Sequence, residues 1–128
     1  MICLDTSFMI DLLNNKPEAT KKAKEFGAGT IVTTSINVFE ILFGLYFKPN
    51  DGKLKTFSAF IDSIEVLYLD VLSSSKSAKI RSELMKKGDV IEVTDSLVAG
   101  TMLANNCNTI VTRDKHFERI KEIRVEGY

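Results

Sequence analysis

Four acidic residues combine the type and the placement needed for metal chemistry. Asp5, Glu40, Asp95 and Asp114 are far apart in the chain, and each lies where a strand-like run meets a helix-like run or just inside that helix. Side chains at such junctions can converge at the carboxyl edge of a parallel sheet, where open α/β folds usually bind ligands. Because gathered carboxylates repel one another, such a cluster at neutral pH needs a hard cation or takes up protons. The sequence therefore predicts a Mg²⁺ or Mn²⁺ site.

The chemistry expected of such a site is phosphodiester hydrolysis. A metal ion that lowers the pKa of a bound water allows cleavage without a protein nucleophile, provided another charge stabilises the leaving oxygen. We expect Asp5 and Asp95 to contact the metal directly, and Glu40 and Asp114 to act directly or through water. The single histidine, His116, cannot supply both the acid and the base of a metal-free ribonuclease, and we expect it to be a loop or packing residue.

Each acid also has a purely structural interpretation. Asp5 could be only a helix N-cap, and Glu40 could close a capping box with Asn37. Asp95 could complement a helix dipole, and Asp114 lies in a mixed-charge turn that is typical of a solvated loop. A functional role is favoured because the four occur together, and because an unpaired carboxylate on the otherwise apolar helix of Glu40 would be costly to bury.

Further charged residues surround these four. Asp89 and Glu92 precede Asp95, so the sequence leaves open which nearby acids face the metal. Asp11 follows Asp5 by six residues, roughly 240° around a helix, and is predicted to face elsewhere. Basic residues crowd the C-terminal segment and either hold phosphates or form a solvated face: Arg113, Lys115, Arg119, Lys121 and Arg124.

The segments that position the acids alternate between strand and helix patterns. Strand-like runs cover residues 1–4, 30–33, 66–69, 108–112 and 123–125, and helical spacing fills the intervals. This alternation predicts an α/β domain in which helices cover both faces of a central, mostly parallel sheet.

Turn and cap residues predict where the helices begin and end. A helix beginning near Pro17 is expected to stop near residues 27–29, and Thr34 or Ser35 is expected to cap the helix that carries Glu40. The turn at residues 48–52 ends that helix, and the next helix is expected over 54–64. Ser73 to Ser75 are expected to cap a later helix that reaches Lys87. Gly100, in the interior of the helix that carries Asp95, predicts close packing against another helix.

Composition narrows the class of protein. A chain of 128 residues with 45% hydrophobic content predicts one compact domain over residues 1–128, and a net charge of zero argues against a general polyanion binder. Cys3 and Cys107 have no zinc-ligand spacing and are expected to be buried free thiols. No apolar run reaches the ~18 residues of a membrane span, so we expect a cytoplasmic protein that makes no membrane contact.

Four segments carry a resemblance to a known family. They are Leu4-Asp-Thr-Ser7, residues 35–44, residues 88–99 and Thr112-Arg-Asp114 with His116-Phe117. In this order and spacing they resemble the PIN domain, and more narrowly the VapC-type toxin ribonucleases. The resemblance implies a three-layer α/β/α fold and a Mg²⁺- or Mn²⁺-dependent endoribonuclease acting on single-stranded or looped RNA. It also implies a homodimer, and a VapB-type antitoxin whose C-terminal tail enters the active-site groove.

The resemblance also assigns residues. It matches Asp5, Glu40 and Asp95 to the core acids of the family and Asp114 to a fourth acidic site. Thr112 matches a supporting hydroxyl residue beside that site. Separately, a run of aromatic residues is interpreted as part of an interface, either with a second copy of the chain or with an antitoxin helix: Phe39, Phe43, Tyr46 and Phe47.

Other functional classes compete with the toxin nuclease. A non-catalytic PIN-fold module that binds RNA or protein would keep the fold without cleavage, and a housekeeping RNA-processing nuclease would share the chemistry. A phosphoacceptor receiver domain would also place acids at strand ends. It is disfavoured because only Asp70 could serve as its central-strand aspartate and its late lysine has no clear place.

Overall fold

The strands form one parallel sheet. The computed structural model describes residues 1–27 and 29–128. Its strands are β1 (Ile2–Leu4), β2 (Ile31–Thr34), β3 (Glu65–Leu67), β4 (Thr109–Val111) and β5 (Arg124–Glu126). Their order in the sheet is β3-β2-β1-β4-β5, and all four pairings are parallel. The carboxyl ends of the central strands β1 and β4 therefore lie side by side.

Helices follow the strands and cover both faces of the sheet. They are α1 (Thr6–Leu13), α2 (Pro17–Lys24), α3 (Ser35–Phe47), α4 (Asp51–Ser63), α5 (Val71–Lys86) and α6 (Val93–Ala104), with a 3₁₀ helix at Lys115–Arg119. In the described part of the chain, no helix is both long and apolar enough to cross a membrane.

Two buried clusters lie on opposite sides of the sheet because successive strand residues point to opposite faces. Cys3 joins the cluster that contains Val98 and Met102 of α6. Leu4 joins the other cluster, which contains Phe8 of α1 and Phe57 of α4. The predicted three-layer α/β/α architecture is confirmed, and both cysteines are buried free thiols.

Helices α5 and α6 approach closely at one glycine. A Cβ atom on Gly100 would lie 1.9 Å from Ser77 Oγ and 2.7 Å from the Ser73 carbonyl oxygen. Only a residue without a side chain fits there, so the predicted close packing at Gly100 is confirmed.

Several predicted helix boundaries need correction. The expected caps Ser73 to Ser75 are wrong, because Asp70 accepts the Ser73 N–H at 2.8 Å and α5 begins at Val71. Helix α4 begins at Asp51 rather than at residue 54, since Asn50 accepts the Lys53 N–H. Strand β3 ends at Leu67 instead of reaching residue 69.

Of the two predicted caps of α3, Thr34 is the one that the structure uses. Thr34 is the N-cap and accepts the Asn37 N–H at 3.3 Å. Asn37 is consequently inside the helix, and the capping box that it could have formed with Glu40 is excluded. Helix α2 ends at Lys24; the centre of its predicted stop, Ala28, lies outside the described residues.

Candidate active site

Asp5 stands at the centre of the carboxyl edge of the sheet. It follows β1 directly, and its N–H donates to the Val111 carbonyl oxygen at the end of β4. Asp5 also occupies the N-cap position of α1, but its carboxylate makes no capping hydrogen bond. The side chain is therefore free to serve the site instead of the helix.

Donors from two other segments hold the Asp5 carboxylate. Asn37 Nδ2 donates to Oδ1 at 3.0 Å, and Thr112 Oγ1 donates to Oδ2 at 2.6 Å. The residue is only 7% exposed. Burial raises the pKa of the Asp5 carboxyl, while the hydrogen bonds, that from Thr112 foremost, oppose the rise. The two hydrogen bonds thus fix the orientation of the carboxylate and partly stabilise its charged form.

Glu40 joins the same polar network from α3. Its Oε1 accepts the Thr6 hydroxyl at 2.9 Å, and Asn37 Nδ2 also donates to Thr6 Oγ1 at 3.0 Å. Burial raises the pKa of Glu40, as do the negative charges of Asp5 and Glu92. The carboxylates of Asp5 and Glu40 are therefore linked through one amide and one hydroxyl.

Asp95 and Asp114 meet on the other side of the site. Asp95 lies in the first turn of α6. Asp114 is positioned by its own N–H, which donates to Thr112 Oγ1 at 2.9 Å, and it caps the 3₁₀ helix by accepting the His116 N–H at 2.8 Å. Thr112 thereby contacts Asp5 with its hydroxyl hydrogen and Asp114 with its oxygen, which joins the two halves of the site.

The ring of His116 lies between these two acids. Its Nδ1 is 3.1 Å from Asp114 Oδ1 and 3.9 Å from Asp95 Oδ2. One potential ligand atom from each of the three residues lies within 4.8 Å of the other two. The sequence did not predict this position for His116, since its expected loop or packing role gave it no contact with the acids.

Burial and mutual repulsion together raise the pKa values of the acids in the site. Burial, followed by the charges of Asp114, Asp5, Glu40 and Glu92, raises the pKa of Asp95 to about 7. The four predicted acids therefore act on one another, and Glu92 is a fifth acid within range. Such a group of carboxylate oxygens matches the ligands that Mg²⁺ and Mn²⁺ prefer, and a cation there would relieve the repulsion.

Asp11 is turned away from the site, as its helical spacing predicts. Its Oδ2 accepts a hydrogen bond from the Tyr128 hydroxyl at 2.7 Å and forms an ion pair with Arg113, whose Nε lies 2.8 Å away. Arg113, one of the basic residues of the C-terminal segment, is thus engaged with a buried carboxylate. It fixes the end of the chain against α1 and is not a free phosphate ligand.

A cleft with a volume of about 560 Å³ opens beside Glu40. Its apolar wall comes from α1 and α3, and its far end carries two lysines. The lining residues are Ile10, Leu13, Asn14, Glu40, Ile41, Gly44, Leu45, Lys48, Pro49, Asn50 and Lys53. Lys53 Nζ donates to Asn14 Oδ1 at 2.5 Å, so its ammonium group is held at the cleft.

Sequence reasoning missed the supporting roles of Asn37 and Thr6. Asn37 is fully buried and also accepts the Thr34 hydroxyl at 2.6 Å. The available signal was an amide flanked by Ile36 and Val38 on an apolar helix, one turn before Glu40. That signal supports a buried hydrogen-bonding role better than a capping box, because a buried amide must be hydrogen-bonded.

Comparisons with known proteins agree in fold and extent. A family model described as PIN domain matches residues 2–123. The chain is 28% identical over 126 residues to the tRNA(fMet)-specific endonuclease VapC of Salmonella typhimurium, covering 98% of this chain and 96% of that protein. It is 25% identical over 128 residues to Ribonuclease VapC2 of Rickettsia felis, covering 98% and 96%. The crystal structure of VapBC2 from Rickettsia felis bound to a promoter DNA fragment is similar with a TM-score of 0.88 and 26% identity, covering 100% of this chain and 99% of that chain.

Proposed function

The chain belongs to the PIN domain family, and from that membership we propose that it is a divalent-metal-dependent endoribonuclease of the VapC toxin type. The observation that carries the proposal is the convergence of four acids on one site in which the pKa of Asp95 is raised to about 7. Two relatives that match nearly the whole chain are named as an endonuclease and a ribonuclease, which supports the same activity.

Asp5 and Asp95 are the proposed direct metal ligands, and Glu40 and Asp114 bind the ion directly or through water. A bound Mg²⁺ or Mn²⁺ supplies an activated water and stabilises the charge that develops on the scissile phosphate. Asn37 and Thr112 orient the Asp5 carboxylate, and would so hold it in place for a bound ion.

The hydrogen-bond partners of the acids differ between the two sides of the site. The hydrogen bonds of 3.0 Å from Asn37 and 2.6 Å from Thr112 favour the charged form of Asp5 and oppose the effect of its burial. Thr6 does the same for Glu40 through its hydroxyl at 2.9 Å. Asp95 accepts no hydrogen bond from the described residues and its pKa is raised to about 7, so its proton is the one that competes with cation binding near neutral pH.

The substrate proposed for this site is single-stranded or looped RNA. The cleft beside Glu40 supports an RNA strand because its apolar wall suits a base and its lysines suit phosphates. Lys48 is the C-cap of α3 and follows Glu40 by eight residues, a distance of about 12 Å along a helix. A strand that leaves the acids along this cleft would therefore meet positive charge after a short distance.

An exposed aromatic face on α3 supports the proposed protein partners. Phe39, Phe43 and Phe47 stack in succession, with ring centroids 6.3 Å and 6.0 Å apart, and Tyr46 lies beside them. All four residues are at least 60% exposed. Such a face suits burial against a second copy of the chain or against a helix of a VapB-type antitoxin. We propose that the homodimer and its antitoxin meet RNA in the cytoplasm.

The deciding experiment is cleavage of a total-RNA pool by the purified protein. Reactions with Mg²⁺ or Mn²⁺ are compared with EDTA and with the folded Asp95→Asn variant, which excludes a contaminating nuclease. Discrete fragments that require both metal and the wild-type chain are expected, and their ends identify the target. Metal binding without cleavage of any RNA would favour a non-catalytic PIN-fold module instead.

A second experiment separates a toxin from a housekeeping nuclease. Induced expression of the wild-type chain in a bacterial host is expected to stop growth, whereas Asp95→Asn is expected to be tolerated. Normal growth with active enzyme would point to RNA processing.

A further inference from the structure

The only histidine of the chain reaches the acid cluster with its ring. His116 Nδ1 lies 3.1 Å from Asp114 Oδ1 and 3.9 Å from Asp95 Oδ2. In an octahedral site with ligand atoms about 2.1 Å from the ion, neighbouring ligands are about 3 Å apart and opposite ligands about 4.2 Å apart. The two observed distances fall within that range. The nitrogen is therefore spaced from both carboxylate oxygens as a ligand of the same ion would be.

Local structure fixes the backbone of His116 and leaves its ring adjustable. The His116 N–H donates to Asp114 Oδ1, and the next residue, Phe117, is fully buried in the core. The ring itself is half exposed. Small rotations of the side chain can thus bring a ring nitrogen onto an ion without moving the 3₁₀ helix.

A hydrogen bond from the ring to Asp114 is the competing explanation. Asp114 Oδ1 already accepts the His116 backbone N–H at 2.8 Å, so the ring is not needed to satisfy that oxygen. The ring nitrogen also lies within 4 Å of Asp95, which accepts no hydrogen bond from the described residues. A position between two mutually repelling carboxylates favours a shared cation over a single hydrogen bond.

On the basis of the proposed metal-dependent function, we propose that His116 is a nitrogen ligand of the bound cation and makes the site prefer Mn²⁺ to Mg²⁺. Mg²⁺ is bound almost entirely by oxygen atoms and gains little from an imidazole. First-row transition metals bind imidazole nitrogen more strongly, and Mn²⁺ is the member of that series that also suits carboxylates. His116 would then set which metal activates the enzyme.

Selective isotope labelling tests this directly, because ¹⁵N-histidine labels His116 alone in a chain that carries no histidine tag. Pulsed electron paramagnetic resonance of Mn²⁺ bound to the protein, at a pH near 8 where protons compete little with the cation, is expected to show a directly bonded nitrogen. Its coupling should change from the ¹⁴N to the ¹⁵N pattern on labelling. The signal should disappear in His116→Gln and persist in the matched control Lys115→Ala.

Calorimetry supplies the second measurement. His116→Gln is expected to weaken Mn²⁺ binding by about tenfold or more and to leave Mg²⁺ binding nearly unchanged. Mn²⁺ binding without a nitrogen signal, or an equal loss of both ions in the folded variant, would overturn the role of His116 alone. A wild-type protein that binds neither ion would overturn the metal-dependent function along with it.

Discussion

The two halves of the acid site are built differently. On one side, Asp5 and Glu40 are held by a network of Asn37, Thr6 and Thr112, with hydrogen bonds of 2.6 to 3.0 Å. On the other, Asp95 has His116 Nδ1 at 3.9 Å and accepts no hydrogen bond from the described residues. The first half is organised by hydrogen bonds, whereas in the second half the Asp95 carboxylate has no such partner and would gain most from a bound cation. Changes in the two halves should therefore have opposite effects on folding.

Asp95→Asn should separate activity from stability most sharply. Loss of a metal-binding charge is expected to lower cleavage by about 10²- to 10³-fold or more. Removing one repelling carboxylate should leave the melting temperature in EDTA unchanged or higher. RNA cleavage assays and thermal unfolding on the same preparation measure both. Full turnover by the folded variant would contradict the assignment of Asp95.

Asn37→Ala tests the organised half. The substitution removes the donor to Asp5 and the acceptor of Thr34, so it should lower the free energy of unfolding by about 1 to 3 kcal/mol. Urea denaturation measures this loss. Asn108→Ala, at an exposed position, serves as the control and should stay within about 0.5 kcal/mol of the wild type. Equal stability of both variants would show that the network does not support the fold.

The pH dependence should report the other half. The folded pKa of Asp95 is raised to about 7 from an ordinary value of 3.8, so the folded state binds this proton more tightly than the unfolded chain does. Its contribution to stability is greatest below pH 4 and is lost as the pH rises from about 4 to 7. In EDTA the melting temperature is expected to fall over this pH window, and to fall by less in Asp95→Asn than in the wild type.

Mn²⁺ should stabilise the wild type more at pH 8 than at pH 5.5, because protons compete with the cation. A pH response identical in wild type and Asp95→Asn would assign the effect to other groups.

The lysines of the cleft should give the smallest effect. Replacing both Lys48 and Lys53 with alanine is expected to raise KM by roughly threefold to tenfold and to reduce the salt dependence of RNA binding, with little change in kcat. The paired replacement of Lys76 and Lys79 on α5 removes the same charge away from the cleft and should do neither. A fall in kcat with unchanged KM would argue against a binding role for the cleft.

Much of the fold could be predicted because its signals are local. The apolar runs before Asp5 and Thr112 end at residues that continue as turns or helices, and this alternation is sufficient for a parallel α/β sheet. Helix boundaries were less predictable where several polar residues compete for one cap. Asp70 rather than Ser73 caps α5 because its carboxylate accepts the Ser73 N–H. Sequence spacing alone does not distinguish between these two candidate caps.

The site was predictable in its acids and unpredictable in their neighbours. The convergence of Asp5, Glu40, Asp95 and Asp114 is predictable from their positions at strand-to-helix junctions or just inside the helix that follows. Asn37 was interpreted as part of a capping box, since its contact with Asp5 spans 32 residues and depends on α3 crossing the end of β1.

The sequence by itself determined three things. These are the alternation of strands and helices, the placement of the acids near strand-to-helix junctions, and the need for a glycine at position 100. Only the tertiary structure decided which polar residues meet. The strand order places β1 between β2 and β4, and this brings Thr112 to Asp5 across 107 residues and turns Asp11 toward Tyr128. Periodicity and capping act over a few residues, whereas these contacts depend on how distant segments pack, and no local pattern specifies that packing.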